Sequence, residues 1–243
     1  MKRICAIARN ESEYLEDWVN YHLVLGFDYI TVYDDGNNGS YTNGRLERIP
    51  FEAKTGCPQT EAYNDFLRTH DFDWCAFIDI DEFITGDLTL LDRVDGYDAV
   101  RMFSKLYGDD GKIYRDSDRP VYERIVNEVV QPTVSSKLIV RKRDWRIYNP
   151  HCFSGNYTVC DTYVKKIHMC QTKKQYSPEV FGPLYIRHYR TKTLEEFCRQ
   201  KLGLRRVYVP GEVKTEEYYF RVNERTPEKE AYLDLINKDR YDR

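Results

Sequence analysis

The chain has 243 residues, 41% of them hydrophobic and 32% charged, with 37 basic against 40 acidic side chains and a formal net charge of −3. A chain of this length buries a core large enough to fold without a disulfide or metal staple. Its near-balanced charge excludes a general nucleic-acid binder, which carries a basic excess, and no apolar run approaches the roughly 18 residues of a membrane-spanning helix. The opening Met1-Lys2-Arg3-Ile4-Cys5 shows no long apolar stretch leading to a small-residue cleavage site, so no signal peptide is expected and the expected location is cytoplasmic. The cysteines number seven and form no C-x-x-C pair, which fits reduced thiols.

In chain order, Arg3 to Ala8 reads as a short buried strand. Asn10-Glu11-Ser12-Glu13 offers N-cap residues and carboxylates suited to the start of a helix. Leu15, Trp18, Val19, His22 and Leu23 then repeat on one helical face, and Gly26 stops that helix. Tyr29 to Tyr33 is a second strand, ending in Asp34-Asp35-Gly36. Strand, helix and strand in about 30 residues make a right-handed, parallel βαβ unit. Tyr63, Phe66, Leu67 and His70 predict another helix, followed by Trp74-Cys75-Ala76-Phe77-Ile78, apolar enough for a central strand. Further on, Ala99–Phe103 and Ser136–Val140 read as strands, Gly108–Pro120 as a loop, and Thr193–Lys201 and Pro227–Ile236 as helices, the last with Pro at its start. With no repeat or linker in view, one α/β domain with a mostly parallel sheet is expected over residues 1–243.

In such sheets ligands lie beyond the carboxyl ends of the strands. Three of those ends are polar: Arg9-Asn10-Glu11, Asp34-Asp35 and Asp79-Ile80-Asp81-Glu82. Asp79 and Asp81 follow the most apolar strand, and their i, i+2 spacing sets both carboxylates on one side if the chain stays extended. Two acids so placed repel unless a cation neutralises them. Mg²⁺ or Mn²⁺ suits, because each accepts one or two carboxylates together with water and phosphate oxygens; the plainer alternative is a pair of solvated strand-end acids. A D-x-D after a strand is shared by nucleotide-sugar glycosyltransferases and by phosphohydrolases with an aspartyl nucleophile (HAD-like). The second class expects Thr or Val where Phe83 stands and an acid-bearing strand that comes first, although Gly108-Asp109-Asp110 offers it a second acidic motif. His151, Cys152, Cys160, His168 and Cys170 are a weaker zinc alternative, since structural zinc ligands pair roughly two to four residues apart. His151 reads either as a packed strand residue or as a contact to acceptor or phosphate. The tract Lys137, Arg141, Lys142, Arg143 and Arg146 reads as a solvated face or as a surface for anionic lipid.

The run Ile4-Cys5-Ala6-Ile7-Ala8-Arg9-Asn10-Glu11, then Tyr14-Leu15-Glu16-Asp17-Trp18 with Tyr21-His22 and Gly26, resembles the start of glycosyltransferase family 2-like and family 92 (DUF23-type) enzymes. The resemblance continues through Val32-Tyr33-Asp34-Asp35, Gln59 with Ala62-Tyr63-Asn64-Asp65, and Trp74 to Phe83. It returns in Ser136 to Arg141 and His188 to Phe197. It implies a GT-A fold, a Rossmann-like αβα sandwich that binds a nucleotide-diphosphate sugar, with residues 1–95 as the nucleotide-binding half, 96–200 as the acceptor side and 201–243 as a helical extension. By that likeness Ala8, Arg9, Asn10, Glu11, Asp34 and Asp35 border base and ribose. Asp79 and Asp81 hold Mn²⁺ or Mg²⁺ on the diphosphate, and His188 is a third ligand or a phosphate contact. Lys137 and Lys192 are candidates to face the phosphates, or else surface lysines. The implied reaction is an inverting, hexosyltransferase-type transfer, from a UDP-sugar by preference, to a glycan or glycolipid acceptor, with peripheral membrane association left open. A non-catalytic relative that only binds glycan or nucleotide is the remaining alternative. An inverting displacement needs a carboxylate base: Asp109 and Asp110 lead, with Glu82 and Asp161 behind them, and each reads equally as a turn or surface acid.

Overall fold

The computed structural model describes residues 1–36, 38–54, 56–169, 171–203 and 213–241. The chain forms two compact units, one from Met1–Leu106 with Val130–His188, the other from Tyr107–Val129 with the described residues from Tyr189 onward.

The first unit begins with β1 (Lys2–Ala8), α1 (Leu15–Leu25), β2 (Tyr29–Asp34), β3 (Leu46–Pro50), α2 (Pro58–Thr69) and β4 (Trp74–Phe77). Strand β1 pairs in parallel with both β2 and β4, and β2 with β3. The result is the parallel quartet β3-β2-β1-β4 of a Rossmann-like α/β fold. Ile4, Cys5, Ala6, Cys75, Ala76 and Phe77 are fully buried, as strands covered on both faces must be. Next come β5 (Glu82–Gly86) and β6 (Ala99–Tyr107), then two short elements, α3 (Val121–Arg124) and β7 (Glu128–Val129), that belong to the second unit. The first unit resumes with β8 (Thr133–Arg141), β9 (Arg146–Asn149), β10 (Cys152–Ser154), β11 (Val159–Asp161), β12 (Lys166–Ile167), β13 (Lys173–Gln175) and β14 (Leu184–His188). From β4 outward the sheet is mixed. Strand β8 lies antiparallel to β4 and to β6, while β14 runs antiparallel to β5 and parallel to β6.

Helix α1 buries Leu15, Trp18, Val19, His22 and Leu23, the stripe read from the sequence, and ends at Gly26 with φ 115°. Its start differs from expectation. Asn10 takes a left-handed φ of 59°, and the Glu11 amide donates to Asn38 Oδ1 at 2.8 Å. The chain therefore turns through residues 12–14 before Leu15 opens the helix. Three side chains tie α1 to β5: Trp18 Nε1 donates to the Glu82 carbonyl at 2.8 Å, His22 Nε2 accepts from the Ile84 amide at 3.1 Å, and the Tyr21 hydroxyl bonds the Thr85 hydroxyl at 2.9 Å. On the opposite side of the sheet Tyr63, Phe66 and Leu67 of α2 pack with Cys5, Cys75, Phe77, Leu138 and Val140.

The second unit contains α4 (Leu194–Gln200), α5 (Glu216–Phe220) and α6 (Pro227–Tyr241). Helix α4 opens with a reciprocal capping box between Thr193 and Glu196. Its core is Leu194, Phe197, Cys198, Tyr219 and Leu233. Among the described residues no helix is long and apolar enough to cross a membrane.

Candidate functional site

The acids after β4 do not continue an extended strand. The Glu82 amide donates back to the Asp79 carbonyl at 3.0 Å, which closes a turn that feeds β5. The Asp79 amide in turn donates to Glu82 Oε2 at 3.0 Å. The extended backbone on which the same-side expectation rested is therefore replaced by a turn from Asp79 to Glu82. Asp79 points toward α2 and β8, and Asp81 toward β14.

Asp79 is held from two directions. Gln59, in the first turn of α2, donates to Oδ1, and Lys137 Nζ lies 2.9 Å from Oδ2. Lys137 is 1% exposed and reaches Glu82 Oε2 at 3.3 Å as well. Burial opposes its charge, but Asp79 and Glu82 more than offset that and raise its pKa. Burial raises Glu82, with Lys137 pulling the other way. Lys137, expected beside phosphate, is thus an internal partner of the acids. Antiparallel pairing of β8 with β4, which matches Ala76 to Ile139, carries Lys137 past the end of β4 and explains the placement.

His188 ends β14, where register with β5 sets it opposite Glu82. Its Nε2 lies 3.5 Å from Asp81 Oδ1 and its Nδ1 3.8 Å from Glu82 Oε1. These are electrostatic contacts, too long for good hydrogen bonds. A carboxylate behind the second ring nitrogen is the arrangement that orients a ligating imidazole. His151 borders the same cluster. Its Nδ1 meets the Ser136 carbonyl at 2.9 Å, which can only accept, so Nδ1 carries the proton and Nε2 is left as an acceptor. Burial first, and then the Lys137 ammonium, lowers its pKa.

The ends of β1 and β2 form a second feature. Asn38, 2% exposed, donates to the Ala8 carbonyl at 2.9 Å and to Asp34, and with its bond to Glu11 it staples the Ala8–Glu11 turn to β2. Arg48 donates Nε to Asp34 Oδ2 at 3.0 Å. Asp34 is therefore held within the unit. Arg9 and Asp35 have no side-chain partner among the described residues, and the Asp35 amide is fixed by the Ala8 carbonyl at 2.9 Å. Neither Asn38 nor Arg48 belongs to a motif that the sequence singles out.

The remaining candidates lie elsewhere. Asp109, 4% exposed, sits in the second unit, where Lys229 Nζ is 2.5 Å from Oδ2, the Gly111 amide donates to Oδ1 at 2.8 Å, and the Tyr219 hydroxyl donates to Oδ2. Asp110, at φ 53°, accepts from the Val126 and Asn127 amides at 2.7 and 3.1 Å. Asp161 accepts from the Tyr163 and Lys165 amides at 2.9 and 3.0 Å. These three are turn-holding acids by placement, and Glu82 is a buried ion-pair partner. Lys192, also in the second unit, is 1% exposed at φ 59° and donates to Gln200 Oε1 at 3.2 Å. The basic tract is mostly engaged: Arg141 stacks on Trp74 and donates to the Val94 carbonyl at 2.6 Å, Lys142 donates to the Leu67 carbonyl at 2.7 Å, and Arg143 pairs with Asp98 at 3.0 Å. Of the zinc alternative, Cys170 lies outside the described residues, while Cys160 and Cys152 bond backbone carbonyls.

As cation donors, the expected trio is incomplete. Asp81 and His188 face each other, but both Asp79 oxygens already have partners. Among the described residues no three His, Cys, Asp or Glu side chains form a metal-holding group.

No model of a known protein family matches the chain, and no curated protein matches it at a significant level. Among solved structures the chain is similar to TarS of S. aureus, residues 1–349, at 18% identity over 48% of this chain and 38% of that one, with a TM-score of 0.34. That protein has also been solved with UDP and with UDP-GlcNAc. It is similar too to HddC from Yersinia pseudotuberculosis, at 13% identity over 58% of this chain and 77% of that one, TM-score 0.36. A further likeness is to the bifunctional IspDF from Campylobacter jejuni, at 15% identity over 58% and 41% of the two chains, TM-score 0.32. The chain thus spans well under half of the TarS fragment it matches.

Proposed function

We propose that this chain is a glycosyltransferase that moves a sugar from a nucleotide-diphosphate sugar, UDP-linked by preference, to a hydroxyl of a glycan or glycolipid, in one inverting displacement. The observation that carries the reading is the turn beyond β4. Asp79, Asp81, Glu82 and His188 gather there, at the carboxyl edge where parallel sheets receive ligands. Beside it, the stapled Ala8–Glu11 turn leaves Arg9 and Asp35 available for a nucleoside. Asp81 and His188 are the groups that would meet Mn²⁺ or Mg²⁺, and such an ion, when bound, supplies charge to stabilise a departing diphosphate.

A thermal-shift series tests the reading. UDP is expected to raise the melting temperature in the presence of Mn²⁺, because a ligand that binds only the native state stabilises it. A UDP-sugar is expected to be hydrolysed slowly when no acceptor is supplied. If no nucleoside diphosphate shifts the transition, with or without Mn²⁺, the proposal fails; a fluoride phosphate mimic trapped on Asp79 would replace it with the phosphohydrolase.

A further inference from the structure

We infer that His151 is the base of the proposed transfer: its Nε2 takes the proton of the acceptor hydroxyl. The inference rests on the proposed nucleotide-sugar function and names a residue on the acceptor side of that same site. The acids are engaged in other ways. Asp109, Asp110 and Asp161 hold turns, Glu82 is buried against Lys137, and both oxygens of Asp79 have partners, Gln59 and Lys137. His151 differs. Its Nδ1 donates to the Ser136 carbonyl at 2.9 Å, which leaves the lone pair on Nε2, and among the described residues Nε2 has no hydrogen-bond partner. The residue is half-buried, and the ionisable groups that bear on it are Lys137, Asp79 and His188, the cluster beyond β4.

The fold aims this imidazole. His151 is at the tip of the β9–β10 hairpin, where Asn149 pairs with Cys152. Asn64 of α2 clasps that hairpin through the Ile147 amide and carbonyl, at 3.0 and 2.8 Å, and the buried side chains of Ile147 and Phe153 seat it on the core. Arg101, fully buried, donates to the His151 carbonyl at 3.1 Å and to Ser136 Oγ at 2.8 Å. One guanidinium therefore fixes both the histidine backbone and the residue whose carbonyl sets its tautomer. Its place along the sheet fits the role. Neighbouring strands run β2-β1-β4-β8: the first two lead to Asp35 and Arg9, β4 leads to the acid turn, and β8 carries Ser136 against His151. Nucleoside, diphosphate and acceptor would then follow one another along that edge. In the step, Nε2 accepts the hydroxyl proton as the oxygen bonds the anomeric carbon; the bond from that carbon to the diphosphate breaks, and its electron pair leaves with the diphosphate. The proton then passes from Nε2 to solvent. Without an acceptor, water fills the place of the hydroxyl and the donor is hydrolysed.

The test supplies UDP-glucose, UDP-galactose and UDP-GlcNAc, each with Mn²⁺ and no acceptor. Release of UDP is followed for the wild type, His151→Ala and His151→Gln, with circular dichroism verifying folding. In the folded variants kcat for the cleaved donor is expected to fall at least about 100-fold, while its KM stays within about threefold. Free imidazole is expected to speed His151→Ala at least about tenfold, a gain that a merely packed histidine would not give. The glutamine variant, which keeps an amide N–H for Ser136, carries the test if the alanine variant does not fold. Folded variants with kcat within about threefold of wild type overturn the inference and leave the proposed function standing. So does a lost rate matched by a rise in donor KM and untouched by imidazole, which makes His151 a prop of the donor site. A wild type that cleaves none of the three donors defeats the proposed function and the base with it.

Discussion

Lys137 in the first unit and Lys229 in the second are each 1% exposed, and each meets a carboxylate, Asp79 at 2.9 Å and Asp109 at 2.5 Å. Around Lys229 the circle is closed. Asp109 accepts from Gly111 and Tyr219 in addition, and Lys229 gives a further hydrogen bond to the Glu224 carbonyl at 2.9 Å. Around Lys137 the circle has an outlet, because the Asp79 side chain is 32% exposed and the adjacent Asp81 faces His188. The same pair of residue types thus builds a strut in one unit and the rim of the candidate site in the other. What separates the two is whether the carboxylate, once paired, still reaches solvent.

The largest test of that contrast is Asp109→Asn. Removing one partner of a buried pair leaves Lys229 uncompensated, at a cost of about 3–5 kcal/mol, to be read from urea denaturation, with Mn²⁺–UDP affinity of the folded fraction retained. Lost turnover at undiminished stability would instead make Asp109 the catalytic base. Asp81→Asn should invert the pattern: turnover falls at least about 100-fold, near 2.7 kcal/mol of transition-state stabilisation, while denaturation changes by less than about 1 kcal/mol. Normal turnover in that variant removes the turn from the chemistry. His188→Ala is expected to raise the Mn²⁺ concentration needed for half-maximal activity roughly tenfold, and an unchanged requirement takes His188 out of the site.

A third buried basic group sharpens the comparison because it carries no charge. His22 donates from Nδ1 to the Trp18 carbonyl at 2.8 Å and accepts at Nε2, and burial pushes its pKa down from 6.5 to about 3. Its unfolded form takes up a proton near pH 6.5 and its folded form does not. The stabilisation is therefore complete above about pH 6.5 and is lost as pH falls toward 3, with a slope near 1.4 kcal/mol per pH unit inside that window. Denaturation midpoints at pH 7.5 and 5, compared between wild type and His22→Gln, measure it: the variant should be less stable at neutral pH and show the shallower slope.

Much of this was legible in the chain. The stripe from Leu15 to Leu23, the stop at Gly26 and the apolar run before Asp79 are local patterns, and local patterns survive folding. The turn at Asp79–Glu82 was not, because β5 exists by pairing with β14 some hundred residues later, and no short window holds that information. Lys137 illustrates the same limit. Its charge was visible, but its contact with the Asp79 and Glu82 carboxylates follows from the register of β8 on β4. Asp109 read as a leading candidate for the base or as a turn acid, and its buried lysine could not be foreseen because it arrives from α6. Asn38 was a single amide in a polar loop, and only its burial reveals that it fastens two strand ends.

The enclosure of Lys137 between Asp79 and Glu82 also bears on ionic strength. At 1 M salt, charges in solvent are screened beyond about 3 Å, whereas buried pairs feel far less of it. The acid turn should keep its shape in brine as in dilute buffer, so a nucleotide affinity that declines with added salt would report on exposed groups such as Arg9, and not on a loosening of the turn itself.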